Sequence, residues 1–315
     1  MKYLNQIFRD SRYKPFLAAF CAVGWSLAYP LIKLGYSEFN IAGNDLGGKV
    51  LFAGIRFFVA GLLIILFCIF RKRKLELKKK SDFSLLLLFG LVNTSLHYMF
   101  AYIGLGYNSG ARSTIIDSFG SFLLIILATI LFKDEKVSAL KAVGCFLGLS
   151  GIVFATVRYG DNIFADITLK GDGMILFNAL FAAIGGILTR IVSNKMNMMP
   201  ATGISMAFGG ALMIICALII GLNKRWLISV KGIIILIILI LISAICFAVY
   251  NELIANHPIS EISIFNALIP VLGVIFSSIL LKEELKYQYI VSVIIVSIGI
   301  YLVNKKSIKK SAEVN

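Results

Sequence analysis

The sequence predicts an all-α integral membrane protein: ten transmembrane helices in two inverted five-helix repeats, with both termini cytoplasmic. Three observations predict it: a chain too apolar for water, ten apolar runs of spanning length, and a lopsided distribution of basic residues. Of 315 residues, 59% are hydrophobic and 15% charged, against roughly 45–50% and about 25% in soluble domains. Each bilayer-spanning helix needs about 20 mostly apolar residues, so ten spans use roughly 200. The remainder is too short for a soluble enzyme carried on an anchor.

The apolar runs lie at about 16–35, 50–70, 83–106, 112–132, 138–157, 173–193, 201–221, 232–255, 259–281 and 287–304. The first contains Pro30 and ends in charge without a small-residue cleavage site, unlike a removable leader. The second ends at RKRKLELKKK, and the third and fourth follow between turn-rich breaks. The fifth carries GCFLG, whose Gly144 and Gly148 offer a small face for close helix packing. After the sixth and seventh, the eighth reads GIIILIILILISAICFAVY, which has no polar face and suits lipid or a bundle interior. The ninth contains Pro270, and the tenth runs into a lysine-rich tail.

The net charge of +15 raises the question of nucleic acid. With the N-terminus inside, the inside segments carry 20 of the 31 Lys and Arg and the outside segments nine, Lys49 among them. Lys33 and Arg56 fall within helices. That bias is what the positive-inside rule requires of cytoplasmic termini. RKRKLELKKK then reads as a topology determinant touching anionic lipid, without the aromatic interleaving of a nucleic-acid site. The expectation is no nucleic-acid partner. The five cysteines (Cys21, Cys68, Cys145, Cys216, Cys246) stand singly in apolar runs and read as buried hydrophobes, neither disulfides nor metal ligands.

Shifting the chain by 149 residues lays 114–136 on 263–285, with seven of 23 positions identical, among them Lys133/Lys282 and Glu135/Glu284. A nearby register lays GWSLAYPLIK of the first helix on FAAIGGILTR of the sixth, Lys33 falling on Arg190. Five helices per repeat is an odd number, so the second copy sits upside down. Inverted repeats are a recurring plan of secondary transporters, with substrate near the midplane between them.

Several stretches resemble the drug/metabolite transporter superfamily, specifically its ten-helix EamA-like transporters. They are GWSLAYPLIKL, GIRFFVAGLL, ILFKDEKVSALKAVGCFLGLSGIVF and NALIPVLGVIFSSILLKEEL. The resemblance covers about 14–305 and implies one five-helix repeat at 14–157 and a second at 172–305. It implies a secondary transporter moving amino acids or related compounds, commonly outward, with no cofactor. The family usually has proline in the fourth helix, where this chain has Ser121 opposite Pro270. Asp117 is an acid the family pattern does not require, which marks the fourth helix as a specificity element.

The candidate site residues are the polar and aromatic groups inside apolar runs. Trp25 and Tyr29, beside the Pro30 kink, read either as an aromatic wall for substrate or as packing. Asp117 lies roughly 8 Å below the outer surface at about 1.5 Å per residue, where an acid costs several kcal/mol unless paired or hydrated. It is either the structural ion-pair partner of Arg56, at similar depth, or an amine-recognising or proton-accepting carboxylate with His97 or Tyr102. Asn266 is its counterpart in the repeat, and Asn178 and Asn251 are further polar candidates. Glu252, near the cytoplasmic helix end, is expected to reach water; Lys33 and Arg190 are expected to snorkel. Glu135 and Glu284 read as turn residues, and His257 as a loop residue.

The pattern predicts a non-enzyme in the cell membrane whose partners are a small-molecule substrate and lipid. No metal site is expected, and no GxxxxGK[ST] motif supplies ATP-driven work. The alternatives are an intramembrane lipid-modifying enzyme, which wants clustered His, Asp or Ser near one interface, and a channel, which wants polar pore-lining stripes.

Overall fold

In the computed structural model, residues 7–132, 139–156, 167–222 and 226–312 are described. Ten helical segments run through them. In chain order they are α1 (Lys14–Glu38), α2 (Leu46–Phe70), α3 (Lys80–Leu105), α4 (Gly110–Leu131), α5 (Ala139–Thr156), α6 (Leu169–Ser193), α7 (Met198–Ile220), α8 (Val230–Asn256), α9 (259–281) and α10 (Tyr287–Ala312). Eight are long and apolar enough to cross a membrane; α5 and α10 supply the shorter apolar helices Ala139–Ala155 and Tyr287–Val303. Lys133 and Glu135 of the first repeat's charged break lie outside the described residues.

Local chemistry sets the helix ends. The Asp45 carboxylate accepts from Gly48 N at 2.8 Å, so α2 starts ahead of the apolar run. Lys49 is therefore inside a helix, not in the outer loop the charge map assigned it. It is fully buried, bonded to the Gly43 carbonyl, with its ammonium 4.0 Å from the Tyr107 ring centre. Ser109, Thr168 and Ser229 cap α4, α6 and α8 in the same way as Asp45.

Two helices are interrupted. The α4 segment breaks at Ser118, between Gly110–Asp117 and Phe119–Leu131. In α9 a 3-10 turn over Ile264–Ala267 separates Ile259–Ser263 from Leu268–Leu281. In the 149-residue register Asp117 falls on Asn266, so both halves interrupt their fourth helix at the same place. A broken helix leaves backbone groups free to face a cavity, which is where membrane proteins tolerate such breaks.

Packing follows a twofold pattern. Helix α1 lies against α8 and α9, α6 lies against α3 and α4, α2 pairs with α7, and α5 with α10. Exchanging each helix with the one five places on maps this set onto itself. Along α2, Gly47, Gly54 and Gly61 face Gly221, Ile214 and Ala207 in turn, so α2 and α7 run antiparallel. Gly144 meets Gly299 and Val303, while Gly151 meets Ile295 and Val296, so α5 and α10 do the same. Gly144 lets the α5 and α10 backbones approach as expected, whereas Gly148 also takes the Phe122 ring edge.

Candidate functional site

A cavity of about 170 Å³ lies among α1, α2, α3 and α4 of the first half and α6, α8 and α9 of the second. Asp117 sits on its wall as the last residue before the α4 break. Its Oδ2 accepts from the Tyr29 hydroxyl at 2.6 Å, and its Oδ1 accepts from Asn178 Nδ2. The carboxylate is thus held by two neutral donors, one from α1 and one from α6. Trp25 Nε1 and Asn178 Oδ1, both on lining residues, are buried with no hydrogen-bond partner among the described residues. Unmet groups of this kind are rare in proteins and call for a ligand or water.

Aromatic rings form much of the remaining wall. The Trp25 ring lies 4.7 Å from Tyr250, edge-on, and 5.5 Å from Phe247. Tyr98 stacks on His97 and packs on Phe57, each at 4.1 Å. Asn266 Nδ2 donates to the Tyr250 hydroxyl at 3.2 Å. Arg56 Nε donates to Ser243 Oγ at 2.6 Å and to the Leu239 carbonyl at 3.1 Å, and its Nη1 donates to the Tyr102 hydroxyl at 2.7 Å.

Nine of the residues singled out in the sequence line this one cavity: Trp25, Tyr29, His97, Tyr102, Asp117, Asn178, Asn251 and Asn266, together with Arg56. Of the two alternatives for Asp117, the ion pair with Arg56 is not formed. Neutral hydroxyl, amide and carbonyl groups hold each charge separately, because Tyr29 and Asn178 reach Asp117 while Ser243, Leu239 and Tyr102 hold the guanidinium. Asn251 is partly committed elsewhere, donating to Thr202 Oγ1 at 2.9 Å. His97 Nδ1 lies 3.3 Å from the Asn93 carbonyl.

Other expectations need correction. Glu252 is largely buried and pairs with Arg73 at 2.9 Å rather than standing free at the helix end. Lys33 reaches partners in the turns before α4 and after α9. It donates to the Asn108 carbonyl at 2.6 Å, 3.9 Å from Glu283, whose carboxylate accepts from Gly110 N and Ala111 N at the start of α4. The Arg190 guanidinium lies 4.4 Å from the Phe132 ring centre. His257 ends α8, with Nε2 2.8 Å from the Phe8 carbonyl. Glu284 lies in the turn after α9. Cys21, Cys68 and Cys246 are buried, but Cys145 is only partly so and Cys216 is exposed. Among the described residues no three His, Cys, Asp or Glu gather to hold a metal.

Sequence reasoning missed Asn93, Tyr98 and Phe247 as lining groups. Asn93 precedes His97 by one helical turn, and that spacing was the available signal. Tyr98 and Phe247 read as packing aromatics, and no pattern separates the two roles.

Apolar helices of spanning length around an internal cavity define a multi-pass membrane protein. The chain belongs to the EamA-like transporter family, which matches it over residues 13–157 and 169–305. It is 26% identical over 302 residues to the uncharacterized transporter YvbV of Bacillus subtilis, covering 92% of this chain and 91% of that protein. It is 28% identical over 265 residues to a chloroplastic WAT1-related protein of Arabidopsis thaliana, covering 82% of this chain and 63% of that one. A solved crystal structure has a TM-score of 0.67 at 15% identity, covering 93% of this chain and 98% of its own; the likeness is one of fold. The family and these relatives place the chain among transporters rather than enzymes.

Proposed function

We propose that the chain is a secondary transporter that moves a small organic metabolite, an amino acid or related compound, out across the cell membrane by alternating access. The observation that carries this reading is the Asp117 carboxylate, held by neutral donors in a cavity shared by both halves, beside the unmet Trp25 Nε1 and Asn178 Oδ1. A carboxylate so placed suits an amine, and the rings of Trp25, Tyr98 and Tyr250 supply faces for a cation and its apolar flank.

The antiparallel pairing of α2 with α7 and of α5 with α10 supports ten spans in two inverted repeats, 14–157 and 172–305. The excess of basic residues in alternate loops supports cytoplasmic termini. Tyr29 stands on α1 and Asp117 on the Gly110–Asp117 segment of α4, which packs on α9, α6 and α1. Their hydrogen bond therefore joins two helices at the cavity wall. A ligand amine that takes over Asp117 loosens that joint, which ties occupancy to the relative position of α1 and α4.

The test is flux of labelled metabolites into liposomes holding the purified protein. Asp117→Asn is expected to abolish flux while leaving folded yield intact. No flux across a panel of amino acids, nucleosides and vitamins would overturn the proposal. The inverted arrangement fails if cysteines at Leu77 and Leu227, both exposed, label from the same side in a cysteine-free background.

A further inference from the structure

Recognition of an amine at Asp117 leaves Arg56 without a role. Arg56 is 1% exposed in the apolar body of α2, a costly site for a lasting charge. The cheapest arrangement for a buried acid and a buried base on one cavity is to pair. Here the two are held apart, each by neutral partners. Arg56 takes acceptors from Ser243, Leu239 and Tyr102, which occupy Nε and part of Nη1. Guanidinium carries five N–H donors, so several find no acceptor among the described residues although the side chain lines the cavity.

We propose that Arg56 is a second recognition pole, binding an anionic oxygen group of the substrate while Asp117 binds its cationic nitrogen. The proposal rests on the transport reading and deepens it. The substrate class is a compact molecule carrying both charges, with an apolar remainder against Trp25, Phe247 and Tyr250. A carboxylate matches the planar fork of the guanidinium better than a spherical anion does. Such a ligand supplies each buried charge with its missing counter-charge at once. A simple amine leaves Arg56 uncompensated, and a simple acid leaves Asp117 so.

The test compares three matched ligands on the purified wild-type protein: an amino acid, its decarboxylated amine and its deaminated acid. Leucine, phenylalanine and glutamine serve as parents, read by calorimetric titration and liposome flux. At least one parent is expected to bind tenfold or more tighter than both of its analogues. In Arg56→Gln the parent's advantage over its amine should vanish while the amine binds as before; in Asp117→Asn the advantage over the acid should vanish. Arg56→Lys, which keeps the charge, should retain part of the preference, and a purely structural role would weaken all three ligands alike. Should the variants fail to fold, the wild-type comparison still decides. An amine bound and moved as well as its parent would overturn the second pole and leave transport standing. Binding and flux of none of the nine ligands would overturn it too, and transport itself falls only if the wider metabolite panel is also inert.

Discussion

Replacing Gly61 by alanine tests the α2–α7 seam on which the arrangement of the halves depends. A methyl group built at Gly61 would lie 2.7 Å from the Gly203 carbonyl oxygen and 2.8 Å from Ala207 Cα, and closer still to Ala207 N. All three atoms are backbone, so no side chain can rotate away. Ordinary contact starts near 3.4 Å, and α2 and α7 must therefore part by several tenths of an ångström. Overpacking of this kind costs about 1–3 kcal/mol, against a gain of about 1 kcal/mol for alanine over glycine in a helix. Because backbone atoms block relief, the upper part of that range applies, about 2–3 kcal/mol, and the net loss of about 1–2 kcal/mol lowers the melting midpoint by roughly 2–8 °C for a chain of this size. Gly203→Ala is the matched control. Its nearest neighbours are side-chain atoms of Ile64 and Ile65 at 3.0–3.1 Å, which can give, so helix propensity should leave it neutral or slightly stabilised. The assay is thermal unfolding in detergent, followed by fluorescence and by size-exclusion recovery. Equal melting of Gly61→Ala and wild type, or an equal drop in Gly203→Ala, would refute the close-contact argument.

Three further expectations concern the helix ends. Glu252→Gln removes the charge partner of Arg73; breaking a buried pair costs about 3–5 kcal/mol, reduced to about 2 kcal/mol because glutamine still accepts a hydrogen bond. The double variant Arg73→Gln/Glu252→Gln should recover part of that loss in a melting-based mutant cycle. Glu283→Ala strips the cap from Gly110 N and Ala111 N, costing about 1 kcal/mol. It should speed amide exchange at 110–113 while leaving the middle of α7 unchanged. Burial holds the His257 imidazole below its ordinary pKa of about 6.5, so the folded state favours the neutral ring. That contribution to stability is full above about pH 6.5 and declines as pH falls through the lowered folded value. His257→Gln should flatten the dependence of melting midpoint on pH between about 7.5 and 5.

Much of this architecture is legible without coordinates. Apolar runs are dictated by the solvent they face, so a span announces itself in composition wherever it folds. The nine residues picked out as polar or aromatic groups inside apolar runs all line the cavity. The interruption of both fourth helices is not read from the sequence, where Asp117 and Asn266 stand only as candidate polar groups. The helix starts are not legible either. Asp45 draws α2 back past the apolar run by a local hydrogen bond that hydropathy does not register.

What the sequence by itself determined is the membrane as solvent, the number of apolar segments and the inventory of charges within them. Those follow from transfer energies, which add residue by residue. Only the tertiary structure decided which charge meets which partner. Asp117 and Arg56 share a cavity, yet Tyr29 and Asn178 take one while Ser243 and Tyr102 take the other. Glu252 and Lys33, read as groups reaching for water, find Arg73 and the Asn108 carbonyl. Pairing depends on ångström-scale directions set by how the helices cross, and no one-dimensional pattern carries them.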